Sequence, residues 1–328
     1  MLLIVLPSYR PGACGVSDHL DILANACRSI GESVQFCVGL DVAAAEISKA
    51  SSKEIVFLPV VLFGYNRYAI PTRLVGLAKQ ARNRGLRITS YFHELPATFF
   101  PLRRVSVLIP LQAIVCWLLA THSDVVFVNQ ARGLRWLRDA ADRAPFYAPT
   151  WSGVGEAEKV LDVQFRHNRI VVFGRKRERM YARLKEAGGP QALFGVDSEI
   201  IDIGEPINTF IPESWNVRNL GQLDSAAVGS ILAEAKYGLF AAPSGETSKS
   251  SVFAACCAYG AIPVNVEPQR RSILLQDPRL GQEFTDLTSL PTDIKALQHL
   301  QCSARAWHAK YSVSLSTARV LAGMGLHK

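Results

Sequence analysis

The stretch from Tyr237 to Val264, YGLFAAPSGETSKSSVFAACCAYGAIPV, constrains the fold more than any other part of the chain. An apolar strand over 238–242 runs into the turn Pro243-Ser244-Gly245 and the polar loop Glu246-Thr247-Ser248-Lys249. A helix of small residues follows from about Ser250 to Tyr259, and a second strand is entered through Gly260 and Pro263. Strand, helix and strand in this order make half of a βαβ unit, and open α/β sheets bind ligands at the carboxyl ends of their strands. The loop brings backbone N–H groups, hydroxyls and one ammonium to the start of a helix, an arrangement that holds phosphate. The pattern predicts a grip for a nucleotide diphosphate.

The rest of the chain repeats the alternation. Apolar runs at 2–6, 33–38, 54–62, 86–92 and 124–128 read as strands, separated by helical periodicity near 16–30, 71–84, 108–121 and 132–142. Residues 144–167 break the rhythm with Pro, Gly and Ser and then acidic residues, as a linker does. A second α/β series follows, with strands at 169–173, 199–203 and 237–242, helices after 176 and over 225–235, and closing helices near 294–311 and 315–323. The expectation is therefore two domains, 1–150 and 168–328, joined by a linker at 151–167, with the terminal helices crossing back to the first. Each domain is an open, mostly parallel sheet with helices on both faces. Function is expected where the strand-end loops of the two domains line a cleft.

Composition narrows the classes. Hydrophobic residues at 49% and charged residues at 20% exclude a disordered chain. The net charge of +8 lies mainly in the first 150 residues, which hold 16 Lys and Arg against 10 Asp and Glu. Such a surface suits an anionic membrane face or a phosphate-bearing acceptor, and a solvated basic face without a partner is the alternative. Nucleic acid is not expected as a partner, because no aromatics interleave with the cations. The apolar run VSVLIPLQAIVCWLLA over 105–120 is interrupted by Pro110 and Gln112 and falls short of the ~20 residues of a membrane span, which leaves a buried or interfacial helix. The N-terminal LLIVL has no preceding basic region and reads as a first strand rather than a signal peptide. Seven cysteines without zinc spacing read as reduced core thiols of a cytoplasmic protein. Dinucleotide, Walker A and nucleophile-elbow motifs are lacking.

Three places carry chemistry. Gly174-Arg175-Lys176-Arg177-Glu178-Arg179 follows an apolar strand and opens a helix, where cations oppose the helix dipole unless an anion binds; a solvated basic turn is the alternative. Glu246, beside the phosphate loop, suits a reaction that develops positive charge on a sugar, since glycosyl transfer passes through an oxocarbenium-like state; a dipole-favoured helix-start residue is the alternative. His93, at a strand end, can donate or accept a hydrogen bond near neutral pH, or simply be structural. His19 and His122 read as ordinary surface or helix residues.

Seven stretches in order, PGACGVSDHLDILANACRSIG, VVLFGYNRYAIP, SYFHELP, SDVVFVN, IVVFGRKRER, GQLDSAAVGSILAEAKYGLF and the segment 237–264, resemble family 4 of the glycosyltransferases. These are retaining enzymes of the GT-B fold that use sugar nucleotides without needing a metal ion. The resemblance implies an α/β GT-B chain, two Rossmann-like domains facing a central cleft. It implies catalytic roles for His93, Glu246 and Arg175, and donor binding by Lys176, Arg179, Ser244, Gly245, Thr247, Ser248, Lys249 and Ser250. Gly12, Gly15 and Tyr65 would form the acceptor-side loop. No metal and no cofactor beyond the nucleoside diphosphate sugar are implied, and the acceptor would be a glycan or a lipid-linked sugar of bacterial-type polysaccharide or glycoconjugate synthesis. The expected location is cytoplasmic, peripheral on an anionic inner membrane face. One departure stands out: the family's second glutamate, eight residues after the first, is replaced by Ala254, or by Ala255 when aligned back from Gly260. A non-catalytic sugar-nucleotide or glycan-binding protein on the same scaffold is the alternative reading.

Overall fold

The computed structural model describes residues 1–10, 15–96, 107–141, 144–243, 245–267, 280 and 283–326. They divide into two compact units, residues 1–149 with 316–328, and residues 150–315.

The first unit is built on strands β1 (Leu2–Leu6), β2 (Val34–Val38), β3 (Ile55–Val60), β4 (Arg87–Phe92), β5 (Val125–Val128) and β6 (Phe146–Tyr147). They form a parallel sheet in the order β2-β1-β3-β4-β5-β6. β1 and β3 are buried along their whole length, as continuously apolar strands covered on both faces must be. The helices are α1 (Gly15–Ser29), α2 (Leu40–Lys49), the single turn α3 (Leu62–Tyr65), α4 (Thr72–Asn83), α5 (Ile109–His122) and α6 (Ala131–Ala141). On one face α2, α4, α5 and α6 pack side by side. There Ile47, Leu74, Leu77, Val115, Leu119 and Leu137 close over Leu3, Val5, Val56 and Leu58.

The second unit repeats the plan with β7 (His167–Phe173), β8 (Glu199–Ile203), β9 (Val217–Asn219), β10 (Ala235–Phe240), β11 (Ile262–Asn265) and β12 (Thr285–Asp286). Its parallel order is β12-β11-β10-β7-β8-β9. Its helices are α7 (Arg177–Glu186), α8 (Pro190–Phe194), α9 (Ser225–Glu234), α10 (Ser251–Tyr259) and α11 (Ile294–Lys310), whereas α12 (Val313–Gly323) belongs from Ser316 onward to the first unit. Side-chain caps start three of these helices, Asp224 accepting from Ala227 N–H, Ser250 from Phe253 N–H and Asp293 from Ala296 N–H. Residues 151–167, expected as a linker, pack as part of this unit: Trp151 and Val163 are buried. The buried Arg166 donates to the carbonyls of Leu161, Leu232, Ala235 and Tyr259, and desolvation pushes its pKa down to about 10.

Both sheets reverse direction at one point. The chain steps from β1 outward to β2 and then to β3 on the other side; likewise from β7 through β8 and β9, then to β10 on the other side. Loops that leave neighbouring strands in opposite senses open a crevice at the carboxyl edge, so β1/β3 and β7/β10 are the places to seek ligands.

The observed elements missing from the sequence reading are α2, the single turn α3, α8, β6, β9 and β12. Only Ala43 and Ile47 of α2 are buried, too few for a helical stripe to stand out. The three strands are edge ladders of two or three residues. Cys302 is exposed on α11, a correction to its reading as a core thiol, whereas Cys27, Cys37, Cys116, Cys256 and Cys257 are buried and unbridged. Cys14 lies outside the described residues.

α10 sits unusually close on β10. A Cβ on Gly238 would overlap Cys256 Sγ, so this strand position admits only glycine while a thiol faces it. Gly238→Ala is expected to cost ~1–3 kcal/mol. Gly238→Ala with Cys256→Ala should recover most of it, measured by denaturant unfolding; an additive double mutant would contradict this packing.

Candidate functional site

In the second unit, the loops after β7, β10 and β11 meet at the carboxyl edge. After β7 the chain turns through Gly174, Arg175 and Lys176 into α7. Arg177 points inward rather than outward: it is 6% exposed, donates to Asp202 Oδ1 at 2.7 Å and bonds the Glu205 carbonyl. It therefore anchors the helix start to β8, and the cationic run exposes Arg175, Lys176 and Arg179 but not Arg177. Although Lys176 as a residue is exposed, its ammonium is drawn inward to donate to the Ala241 carbonyl at 2.7 Å, which ties the β7 loop to the end of β10. Desolvation lowers its pKa; the charge of Glu246 opposes that shift, and Lys249 and Arg179 add to it.

After β10, Gly245 takes a left-handed conformation at φ +76° and the chain makes a 3₁₀ turn over Thr247–Lys249 before α10. Glu246 is only 8% exposed, and Lys249 Nζ lies 3.5 Å from its Oε2. Thr247 and Ser248 are buried, and the Ser248 carbonyl accepts from Thr150 N–H at 2.9 Å. The Ser250 hydroxyl caps α10, accepting from Phe253 N–H at 3.2 Å, which leaves its own O–H as a donor. Ser244 and Gly12 lie outside the described residues.

Two residues here escaped the sequence reading. Asn265, fully buried at the end of β11, accepts from Ala242 N–H at 3.1 Å and donates to the Ala242 carbonyl at 2.8 Å, so its amide extends the sheet and holds the loop after β10 at its root. Glu267, 4% exposed, accepts from Arg179 Nη2 at 2.6 Å and has Arg183 at 3.9 Å. The signal was available as the polar residues Asn265 and Glu267 flanking Val266 at the end of an apolar strand. Arg179 is thus engaged with Glu267 as well as lying in the cationic run. Ala254 and Ala255 are each 1% exposed: Ala254 packs among Phe240, Phe253, Cys257 and Trp307, and Ala255 among Val171, Phe173 and Cys256. Neither offers the carboxylate that the resemblance led one to expect. A cavity of about 360 Å³ lined by Val160, Cys257, Cys302 and Arg305 belongs to the other end of α10 and touches none of these loops.

In the first unit, His93 follows β4 and is 5% exposed. Its ring lies tilted against Tyr91 at 4.4 Å, meets His19 edge-on at 5.2 Å, and places Nδ1 3.4 Å from Asn129 Nδ2. Of the two readings of His19, surface or helix, the helix holds, since it lies on α1; it is buried, at 2% exposure, and desolvation, then the nearby His93, holds its pKa well below the ordinary value. Gly15 opens α1, and Tyr65 donates its hydroxyl to the Val5 carbonyl at 2.9 Å, linking the turn after β3 to β1 at the reversal point.

No family model matches the chain and no curated protein matches it. Solved structures do. An alpha-glucosyltransferase in complex with UDP and a 13-mer DNA containing an HMU base is similar at a TM-score of 0.58 and 10% identity, over 99% of this chain and 99% of that one. The glycosyltransferase SnogD from Streptomyces nogalater is similar at a TM-score of 0.50 and 14% identity, over 98% of each chain. With two parallel six-stranded sheets and interleaved helices matched over nearly the full chain, the fold is GT-B.

The charges around Lys176 generate a signed expectation. Replacing the cation in Lys249→Gln should raise the Lys176 pKa toward the ordinary ~10.4, and removing the carboxylate in Glu246→Gln should lower it further. NMR titration of isotope-methylated lysines reads both; an unmoved Lys176 in both variants would contradict the arrangement.

Proposed function

We propose that the chain is a glycosyltransferase that moves a sugar from a nucleoside diphosphate donor, with retention, to a glycan or lipid-linked acceptor. The observation that carries this reading is the group formed by the desolvated Lys176 ammonium and the Glu246–Lys249 pair at the β7/β10 reversal of a GT-B chain. In support, a fold neighbour was solved with UDP bound.

In this reading the diphosphate lies over the start of α10. Its oxygens accept from Lys176, Lys249, Arg175 and the backbone N–H groups at the start of α10. As the bond between the sugar's anomeric carbon and the diphosphate oxygen breaks, negative charge grows on the leaving group and positive charge on the sugar. Lysines held in a partly desolvated corner stabilise the first more than they would in water. They also supply the positive charge that a metal ion would otherwise bring, in line with metal-independent transfer. Glu246, buried against this group, faces the second. His93 would contact the transferred sugar, and Gly15 and Tyr65 would shape the acceptor side. The chemistry belongs to polysaccharide or glycoconjugate synthesis.

A second reading, a sugar-nucleotide-binding protein without transfer, is favoured by one observation: Ala254 and Ala255 are packed into apolar clusters where a ribose-binding carboxylate was expected.

Donor hydrolysis and transfer over a panel of UDP, GDP and ADP sugars separate the two. The wild type should turn over at least one donor, with Lys176→Ala and Glu246→Ala each reducing kcat by ~10²-fold or more. Saturable nucleotide binding without turnover would establish the binding protein instead, and binding to none of the donors would remove both readings. Duplex DNA belongs in the acceptor panel, and transfer to it would overturn the glycan or lipid acceptor.

A further inference from the structure

Helix α5 is apolar on the side that faces away from the core as well as the side that faces it. Val115, Cys116, Leu119 and Ala120 are buried against the sheet and neighbouring helices. On the other side Val107 is 82% exposed, Leu111 49%, Ile114 50% and Trp117 43%. Positions 107, 111, 114 and 117 fall on one stripe at helical spacing. A contiguous exposed apolar stripe of this kind marks an interaction site.

The surroundings identify what would cover it. α4, which packs beside α5, contains Arg73, Lys79 and Arg82 and no acidic residue, and α5 has none either. Residues 66–123 hold eight Lys and Arg and a single carboxylate, Glu94, whose Oε2 accepts from Phe63 N–H at 2.9 Å. At the C-terminal end of α5, Arg82 donates to the Thr121 carbonyl at 3.0 Å. Lys79 and Arg82 lie close enough to His122 to reinforce the fall in its pKa that desolvation begins. At the N-terminal end, Gln112 donates to the Tyr68 carbonyl, and the exposed Arg67 stacks over the exposed Tyr68 ring at 4.6 Å. The apolar stripe is therefore flanked by exposed cations at both ends.

We propose that the outer face of α5, through Leu111, Ile114 and Trp117, docks on an anionic lipid surface while Arg67, Lys79 and Arg82 engage its headgroups. Cations beside a lipid surface attract anionic headgroups, and Trp and aliphatic side chains enter the boundary between headgroups and acyl chains. No described helix is long and apolar enough to cross a membrane, so the contact is interfacial. Nucleic acid would use the cations but leave the aliphatic stripe in water, and a second copy of the chain would bring the same cations face to face. The inference does not depend on the glycosyl-transfer reading.

The test is co-flotation with vesicles of phosphatidylcholine containing phosphatidylglycerol, against pure phosphatidylcholine, at low and high salt. The full chain should float with the anionic vesicles and weaken with salt. Leu111→Ser/Ile114→Ser/Trp117→Ser should bind at least about tenfold more weakly. Arg67→Gln, Lys79→Gln and Arg82→Gln should each cost roughly fivefold. Circular dichroism and thermal shift with nucleoside diphosphates on the same variants check that fold and donor site persist, so that failure here is distinct from failure of the donor site. Absence of flotation at low salt, undiminished binding by the triple apolar variant, a dimer that this variant dissolves, or binding to duplex DNA in place of vesicles would each overturn the proposal.

Discussion

The seat of α10 on β10 is the contact on which the site depends. Because Gly238 has no side chain, Cys256 reaches the strand backbone, and the helix start is fixed above the carboxyl end of β10. The Ser250 cap and the left-handed Gly245 then leave the chain one route from strand to helix, through a compact turn in which Thr247 and Ser248 are buried. Asn265 holds that loop at its root by pairing both ways with Ala242. A loop held this firmly presents its N–H groups in fixed directions, which is what binding of an anion without large ordering cost requires.

Charge follows from the same geometry. β7 and β10 are neighbours although their connections run in opposite directions, so Lys176 and Lys249 meet at one edge after arriving from different halves of the unit. Left alone they would repel, and Glu246 and the Ala241 carbonyl hold them. The nearby Arg179 and Arg183 are balanced by Glu267, while Arg177 is withdrawn into a buried pair with Asp202. Of a run of four cations over 175–179, then, one serves the fold, one is shared with a carboxylate, Lys176 bonds the Ala241 carbonyl and Arg175 is exposed.

Much of this was legible in the chain. The apolar runs that became β1, β3, β4, β7 and β10 are long and continuous because both sheet faces are covered, and burial on both sides is what a sequence displays most plainly. Short ladders such as β6, β9 and β12 carry no such signature, since their pairing is imposed by the neighbouring strand. The split roles of Arg177 and Lys176 were not readable either: adjacent cations of like chemistry are sorted by which side of a helix start faces β8. The burial of His19 on α1 was unreadable for a related reason. A lone polar residue on an apolar helix face gives no sign that Tyr91 and His93, more than seventy residues later in the chain, will close over it.

A crystal structure with a nucleoside diphosphate bound measures the central claim most directly. The account predicts diphosphate oxygens at about 2.7–3.2 Å from Lys176 Nζ and from the N–H groups at the start of α10. A nucleotide bound elsewhere, for instance in the cavity beside Cys302 and Arg305, with the β7 and β10 loops untouched, would contradict it.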